Sequence, residues 1–325
     1  MIRAATTGDV VAVKFVCVGN FKIAKDLTLI GKPTADLPRG VLNGDGHGQV
    51  LVVGRAHVTL ENLKITGGAV ADWNLGGGVT TEGTLVLRDM AVKGNAGGGI
   101  YNTGTLTLTG SSTVSHNSAA GIHQDGSMTV PSLTMNGTSS VTSNGGYGIF
   151  NYYALTTLND SSTVSRNVTD VFAGIYNFDG TLTLNDSASV TDNVGTQAAV
   201  VNVGTFTMNG SSSVSGNTTT NSWGGGIYNA SSANITMNDS SSVTGNATVR
   251  SGGGIRTDGV LTMNGLSSVT DNTADSDDNG VGGGGGIKVP CSGTLIGAVD
   301  GGNVTDNHRG TASPVVDNIA IPACP

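Results

Sequence analysis

Gly174-Ile175-Tyr176-Asn177, then Thr181-Leu182-Thr183-Leu184-Asn185, then Ala188-Ser189-Val190-Thr191-Asp192-Asn193: this is one copy of a cassette that recurs through most of the chain. Neighbouring copies end in Asn117, Asn144, Asn167, Asn217, Asn246, Asn272 and Asn307. Most of these ends are spaced by about 22 to 29 residues, the range of stacked supersecondary repeats. A unit so short cannot close a core of its own, so each copy must bury its apolar face against the next.

Within the cassette, Thr105-Leu106-Thr107-Leu108 alternates with a period of two, which puts both leucines on one face of a strand and both threonines on the other. The apolar column continues as Leu133/Met135, Leu182/Leu184, Phe206/Met208, Ile235/Met237 and Leu261/Met263. A second strand supplies Val114, Val141, Val164, Val190, Val214, Val243 and Val269. A third supplies Ile100, Ile122, Ile149, Ile175, Val200 or Val201, Ile227, Ile255 and Ile287. Three apolar columns are what a triangular solenoid of parallel strands needs to fill its interior. Asn136, Asn159, Asn185, Asn209, Asn238 and Asn264 each precede Gly or Asp, a pair suited to a turn with a left-handed residue. Stacked at strand spacing, identical asparagines can also hydrogen-bond from coil to coil. Several lie in N-x-[ST] context, a glycosylation pattern that the repeat generates for its own reasons.

The chain has 325 residues, 52 of them glycine, with 4% aromatic and 12% charged residues and a formal charge of −8. Regular apolar positions from end to end mark it as folded despite the low charge and aromatic content. The acidic balance argues against a nucleic-acid partner, because phosphate binding needs clustered Lys and Arg. No run of 18 apolar residues exists, so no transmembrane helix is expected. Met1 to Asp9 lacks the apolar stretch of a signal peptide. That leaves a cytoplasmic protein or an exported form whose leader is absent from this chain, and the Ser-, Thr-, Asn- and Gly-rich exterior favours export to the cell surface or medium. Cys291 and Cys324 lie in the atypical last segment and are a candidate disulfide clamping that end. Cys17, between Val16 and Val18, reads as a buried free thiol.

The first 70 residues follow a looser pattern: Leu27-Thr28-Leu29-Ile30-Gly31, Val41-Leu42-Asn43-Gly44, and Val58 through Gly68. This stretch resembles the opening coils of a right-handed parallel β-helix, as in pectin-lyase-like proteins. The later Gly-Gly-Gly-Ile and Val-Ser-x-Asn elements resemble the Gly-Gly-Ala-Ile and Phe-x-x-Asn repeats of chlamydial polymorphic outer-membrane proteins and related bacterial surface proteins. Val replaces the Phe, and the pattern gives no expectation of anchorage by an autotransporter barrel. The expected fold is therefore all-β: a single-stranded right-handed parallel β-helix of roughly ten or eleven coils with three short strands each. One domain is expected over 1–325, with irregular coils over 1–70, regular repeats over 71–287 and a C-terminal cap over 288–325. The resemblance implies a non-catalytic extracellular or cell-surface protein, adhesin-like or stalk-like, that contacts carbohydrate or another host or cell-surface ligand.

Enzymes of acidic polysaccharides on this fold place catalytic groups on the outer face of one strand column. Glycoside hydrolysis needs two carboxylic groups across the bond. The nearest fragments here, Gly44-Asp45-Gly46-His47-Gly48 and Asp275-Ser276-Asp277-Asp278, are over 200 residues apart. An enzyme remains the alternative, distinguished by a groove lined with several acids in neighbouring coils. No catalytic residue is assigned. Tyr101, Tyr176, Trp223 and Tyr228 are the aromatic candidates for stacking on sugar rings. Asp275, Asp277 and Asp278 cluster hard oxygen ligands that suit a calcium ion, although the loop lacks the twelve-residue calcium pattern; no other cofactor is implied. The slot before the terminal Asn accepts His116, Arg166, Asp192, Gly216, Gly245 and Asp271, as an outward surface position would. Threonine pairs such as Thr105/Thr107, Thr181/Thr183 and Thr205/Thr207 resemble the ice-binding face of some antifreeze β-helices, which makes ice binding a second alternative. Their first column fails at Asn234 and Val260. Insertions in solenoids collect on one edge, and the variable segments after each terminal Asn are the expected binding edge.

Overall fold

The computed structural model describes every residue except 1, 3, 72–75, 172–173, 299–301, 312–314 and 322–325. Among the described residues there is no helix, and the strands form three parallel sheets of 12 strands each plus one short sheet of 6. Successive strands of the chain go to successive large sheets, so the fold is a parallel β-helix with three strands per coil. The sheets are named here for their inward residues: the Leu, Val and Ile sheets. By contact density the chain divides into two compact units, Met1–Thr156 and Thr157–Pro325.

In the first unit, Thr84–Arg88, Thr105–Thr109 and Ser132–Met135 of the Leu sheet pair in register, so that Leu85, Leu106 and Leu133 stack. Val92, Val114 and Val141 stack in the Val sheet, and Val79, Ile100, Ile122 and Ile149 in the Ile sheet. The second unit repeats this: Leu182, Phe206, Ile235 and Leu261 are consecutive, as are Val190, Val214, Val243 and Val269. All of these side chains are buried, at 0–1% exposure. Each contributes about 1.5–3 kcal/mol through removal of apolar surface from water. Register also settles the Val200/Val201 ambiguity. Val200 lies between Ile175 and Ile227, while Val201 aligns with Tyr176 and Tyr228 on the outer side.

The terminal asparagines face inward and form hydrogen-bonded ladders. In the first unit, Nδ2 of Asn95 donates to Oδ1 of Asn117 (2.9 Å), and Asn117 to Asn144 (3.0 Å). In the second, the relay runs Asn167, Asn193, Asn217, Asn246, Asn272 and Asn307, at 2.8–3.1 Å per step. The same Oδ1 atoms accept the backbone N–H of the preceding asparagine, as from Asn217 to Asn246 at 3.0 Å. Nδ2 of Asn217 also reaches back to the carbonyl of Val190 at 3.1 Å, so one amide ties three coils together. A parallel ladder runs under the Ile sheet through Asn177, Asn202 and Asn229. The turn asparagines form the expected third ladder, from Asn264 through Asn238, Asn209 and Asn185 to Asn159.

These ladders explain the glycine that opens the cassette. A Cβ on Gly254 would lie 2.8 Å from Nδ2 of Asn272 and 2.8 Å from the Gly286 carbonyl, and Gly226 faces Asn246 in the same way. The slot before the terminal Asn has a second constraint beyond outward exposure. His116, Arg166, Asp192, Gly216, Gly245 and Asp271 all take a left-handed φ of 52–64°. Ser139, Ser162, Ser212, Ser241 and Ser267 recur as buried hydroxyls with no hydrogen-bond partner. Ala188 holds the equivalent place beside Val190, so the position selects for size.

Cys17 is a free, half-exposed thiol and not a buried one, because Val16–Val18 is the edge strand of its sheet and only Val41–Asn43 covers it. Cys291 is disulfide-bonded, whereas Cys324 lies outside the described residues.

Gly254→Ala is expected to lower stability by about 2–3 kcal/mol, the cost of overpacking against backbone and a buried amide. Gly54→Ala, whose Cβ would meet nothing closer than 3.7 Å, should change it by less than about 0.5 kcal/mol. Urea unfolding midpoints of the two variants check this.

Candidate functional site

An irregular turn of the first unit produces a concave surface. Asn102 pairs in register with Gln124, and Thr105 with Ser132. The intervening link is two residues in one coil (Thr103-Gly104) and seven in the next (Asp125 to Pro131). The longer link overhangs a cleft of about 520 Å³ lined by Arg55, Thr80, Glu82, Tyr101, Thr103, Asp125, Ser127, Met128 and Thr129. Hydroxyl Oγ1 of Thr129 donates to the Thr103 carbonyl at 2.9 Å and ties the loop down. Gly126 is required at its base, since a Cβ would come within 2.2 Å of the Tyr153 carbonyl. Met128, 95% exposed, forms the outer lip.

Parallel register positions the polar groups. Thr81, Asn102 and Gln124 are aligned on three consecutive strands, so Glu82, Thr103 and Asp125 follow at equivalent places. Glu82 and Asp125 therefore stand two strands apart, about 10 Å between backbones. Beneath them, Asn102 donates to Oε1 of Gln124 at 3.0 Å, and Gln124 to Oδ1 of Asn151 at 2.8 Å, which fixes the coils relative to each other. The Tyr101 hydroxyl donates to Oδ2 of Asp125 at 2.7 Å, and the Ser127 N–H to Oδ1 at 2.9 Å. Burial pushes the Asp125 carboxyl up, but these hydrogen bonds and the neighbouring His123 outweigh it and hold the pKa below the ordinary 3.8. Outward from the Ile sheet, Tyr101, His123 and Phe150 follow on consecutive strands, Tyr101 edge-to-face with His123 (ring centroids 5.2 Å apart) and His123 stacked on Phe150 (4.8 Å).

The second unit carries a separate cluster. Tyr228 lies between Val201 and Arg256 on adjacent strands. Its hydroxyl donates to Oδ2 of Asp258 at 3.0 Å, and Nε of Arg256 pairs with Oδ1 of the same carboxylate at 3.1 Å. Burial, the hydrogen bond to Asp258 and that carboxylate's charge raise the Tyr228 pKa. The Arg256 guanidinium carbon is 4.4 Å from the centroid of the Trp223 ring, and that of Arg250 is 5.4 Å away.

Of the four aromatic candidates, Trp223 and Tyr228 thus meet through Arg256, Tyr101 lines the first unit's cleft, and Tyr176 packs edge-on against Phe178 at 5.8 Å. Sequence reasoning missed Arg55, Glu82, Asp125, Arg250 and Arg256. The long Asp125–Pro131 link was the available signal for the first three.

The post-Asn edge is also more ordered than its variable length suggests. In the second unit it begins with Val194–Gly195, Thr218–Thr219, Ala247–Thr248 and Thr273–Ala274, which pair as the short fourth sheet. Trp223, Arg250 and the acidic loop extend from it. In that loop the three carboxylates are used separately. Asp275 is buried, accepts the Gly280 N–H at 3.2 Å and lies 3.6 Å from Arg309. Asp277 accepts from Asn279 at 2.8 Å, and Asp278 from the Thr311 N–H at 2.6 Å. No group of three or more His, Cys, Asp or Glu side chains among the described residues is placed to hold a metal ion. Asn234 and Val260 interrupt the outer threonine column in register after Thr205, while Thr207, Thr236 and Thr262 continue the inner one.

The class these features define is a parallel β-helix repeat protein with an aromatic- and carboxylate-lined cleft in one unit and a Trp–Arg cluster in the other. No helix among the described residues is long and apolar enough to cross a membrane. Comparison with protein-family models, curated proteins and solved structures finds no match.

Tyr101→Phe removes the strongest donor to Asp125, so the carboxyl midpoint should rise toward 3.8. Because the native pKa is depressed, the interaction stabilises the cleft above the ordinary carboxylate value and is lost as pH falls through the native midpoint. A carboxyl-detected NMR titration of both proteins checks the direction.

Proposed function

We propose that this chain is a non-catalytic, exported or cell-surface β-helix protein that contacts carbohydrate, in the manner of the bacterial surface proteins its repeats resemble. One observation carries the reading: the cleft of Tyr101, Glu82, Asp125 and Arg55. An aromatic side chain beside two carboxylates and a guanidinium suits a sugar ring, whose faces are apolar and whose hydroxyls both donate and accept. The carboxylates would accept from ring hydroxyls, and Arg55 would donate to them. Thr80, Thr103 and Ser127 add hydroxyls of either sense. Repeated weak contacts along a rigid stack would add through avidity on a polymeric glycan.

The pair Glu82 and Asp125 favours a second reading, glycoside hydrolysis, because two acids in nearby coils face one cleft. Hydrolysis needs one of the two carboxyls kept protonated as general acid, with its pKa raised. Asp125 is shifted the other way, and its oxygens are occupied by Tyr101 and Ser127. That leaves Glu82 as the one carboxyl of the pair to serve as acid, whereas binding requires no protonated carboxyl and is the favoured reading.

A glycan array probed with the intact chain is expected to retain at least one neutral or mixed glycan. Tyr101→Ala and Asp125→Asn should each weaken that binding about tenfold, the size of losing one good charged or stacking contact. Reducing-end assays on bound glycans should show no new ends. Variants that bind as tightly as the parent remove this reading, and steady release of reducing ends replaces it with hydrolysis.

A further inference from the structure

The charges of the second unit are distributed unlike those of the first. Its sequence holds fourteen Asp against five Lys and Arg: Arg166, Arg250, Arg256, Lys288 and Arg309. Self-repulsion favours scattering the few cations among the many carboxylates. Instead, Arg250 and Arg256 both lie against the Trp223 indole, and Lys288 is the strand neighbour of Arg256 on the outer side of the Ile sheet. Asp258 neutralises Arg256 alone. Among the described residues neither Arg250 nor Lys288 is in an ion pair, and besides the indole the guanidinium of Arg250 meets the amide oxygen of Asn221, at 3.3 Å. Asp275, whose N–H donates to the Arg250 carbonyl at 3.0 Å, is itself paired with Arg309, so Arg250, Arg256 and Lys288 set against Asp258 leave two positive charges beside the indole in a unit whose formal balance is nine negative. Trp223 beside them keeps 41% of its surface exposed.

From this arrangement we propose that Trp223, Arg250 and Lys288 form a binding site for a phosphate group carried on a saccharide. The ring packs on the exposed part of the indole, the Arg250 fork takes phosphate oxygens in two hydrogen bonds, and Lys288 supplies a second charge. A guanidinium fork matches phosphate geometry, and an ammonium complements it as a point charge. A phosphate monoester carries about −1.5 to −2 at neutral pH, which matches the local surplus. The carboxylates of the rest of the unit disfavour a long polyanion, which would run past them, so a single phosphate substituent fits better than a polyuronate or a nucleic acid. Arg256, held by Asp258 and Tyr228, serves as the rigid wall that orients Trp223. The inference deepens the carbohydrate-contacting reading but rests on different residues in a different unit.

Isothermal titration of the intact chain with mannose 6-phosphate, mannose, inorganic phosphate and galacturonate tests it. Mannose 6-phosphate is expected to bind at least tenfold more tightly than any of the other three. Arg250→Ala with Lys288→Ala should abolish the difference between mannose 6-phosphate and mannose. Trp223→Ala should reduce mannose 6-phosphate to the level of inorganic phosphate. Lys22→Ala, which removes an exposed cation of the first unit, is the charge-matched control and should change nothing. Equal binding of galacturonate, no phosphate binding at millimolar concentration, or full binding by the Arg250/Lys288 double variant with unchanged circular dichroism each overturns the proposal. Inorganic phosphate held by Arg250 and Lys288 with no gain from the sugar overturns the saccharide part. Because these arms do not involve Tyr101 or Asp125, failure of the first unit's glycan binding reads out separately.

Discussion

A buried side-chain amide, repeated once per coil, is the interaction on which the rest of this fold depends. In a stack of short parallel strands the backbone of every coil is paired, and the apolar columns forbid a one-residue slip, which would turn them outward, but not a slip of two. The asparagine ladder does. Each Asn gives Nδ2 to one neighbour's Oδ1 and receives at its own Oδ1 from the other, so a slip would leave several desolvated polar groups unpaired at about 1–3 kcal/mol each. The glycine that opens most cassettes is a consequence: at Gly99, Gly121, Gly226 and Gly254 the missing Cβ leaves room for the ladder amide of the same coil, while Ala199 holds the place before Val200. Core columns, glycines and terminal asparagines are therefore one coupled design.

Because the repeat is already committed to holding itself together, ligand chemistry has to come from departures from it. The first unit's cleft arises where a two-residue link becomes seven, and the added loop both overhangs Tyr101 and places Asp125 to accept from it. The second unit's cluster arises where the post-Asn segments lengthen and bring Trp223 and Arg250 beside the outer column of Tyr228, Arg256 and Lys288. In both places the repeated strands supply a rigid base, and the irregular segment supplies the groups that do not recur.

Much of the fold was legible because its signals are local. Alternation alone placed Leu106, Leu108 and their column mates inside, and a single valine per third strand did the same for Val114 and its successors. The inward path of Asn117, Asn193 and Asn217 was harder to read, since a polar residue next to His116, Asp192 or Gly216 looks like a turn. Only the register of neighbouring coils shows that its partner is itself. The same limit hid the sites. Trp223, Arg250 and Arg256 span more than thirty residues and share no spacing pattern. Glu82 and Asp125 lie in different repeats, aligned by register alone. The Asp125–Pro131 length change was visible but stood on another edge from the one expected to carry insertions.

The direct test of the ladder is a double-mutant cycle on Asn217 and Asn246, read as unfolding free energy in urea. If the amides act as one coupled relay, the single Asn→Ala variants will each cost about 2–4 kcal/mol, and the pair will show a coupling of about 1 kcal/mol or more. Additivity within about 0.5 kcal/mol, or single variants near the stability of the parent, would contradict it.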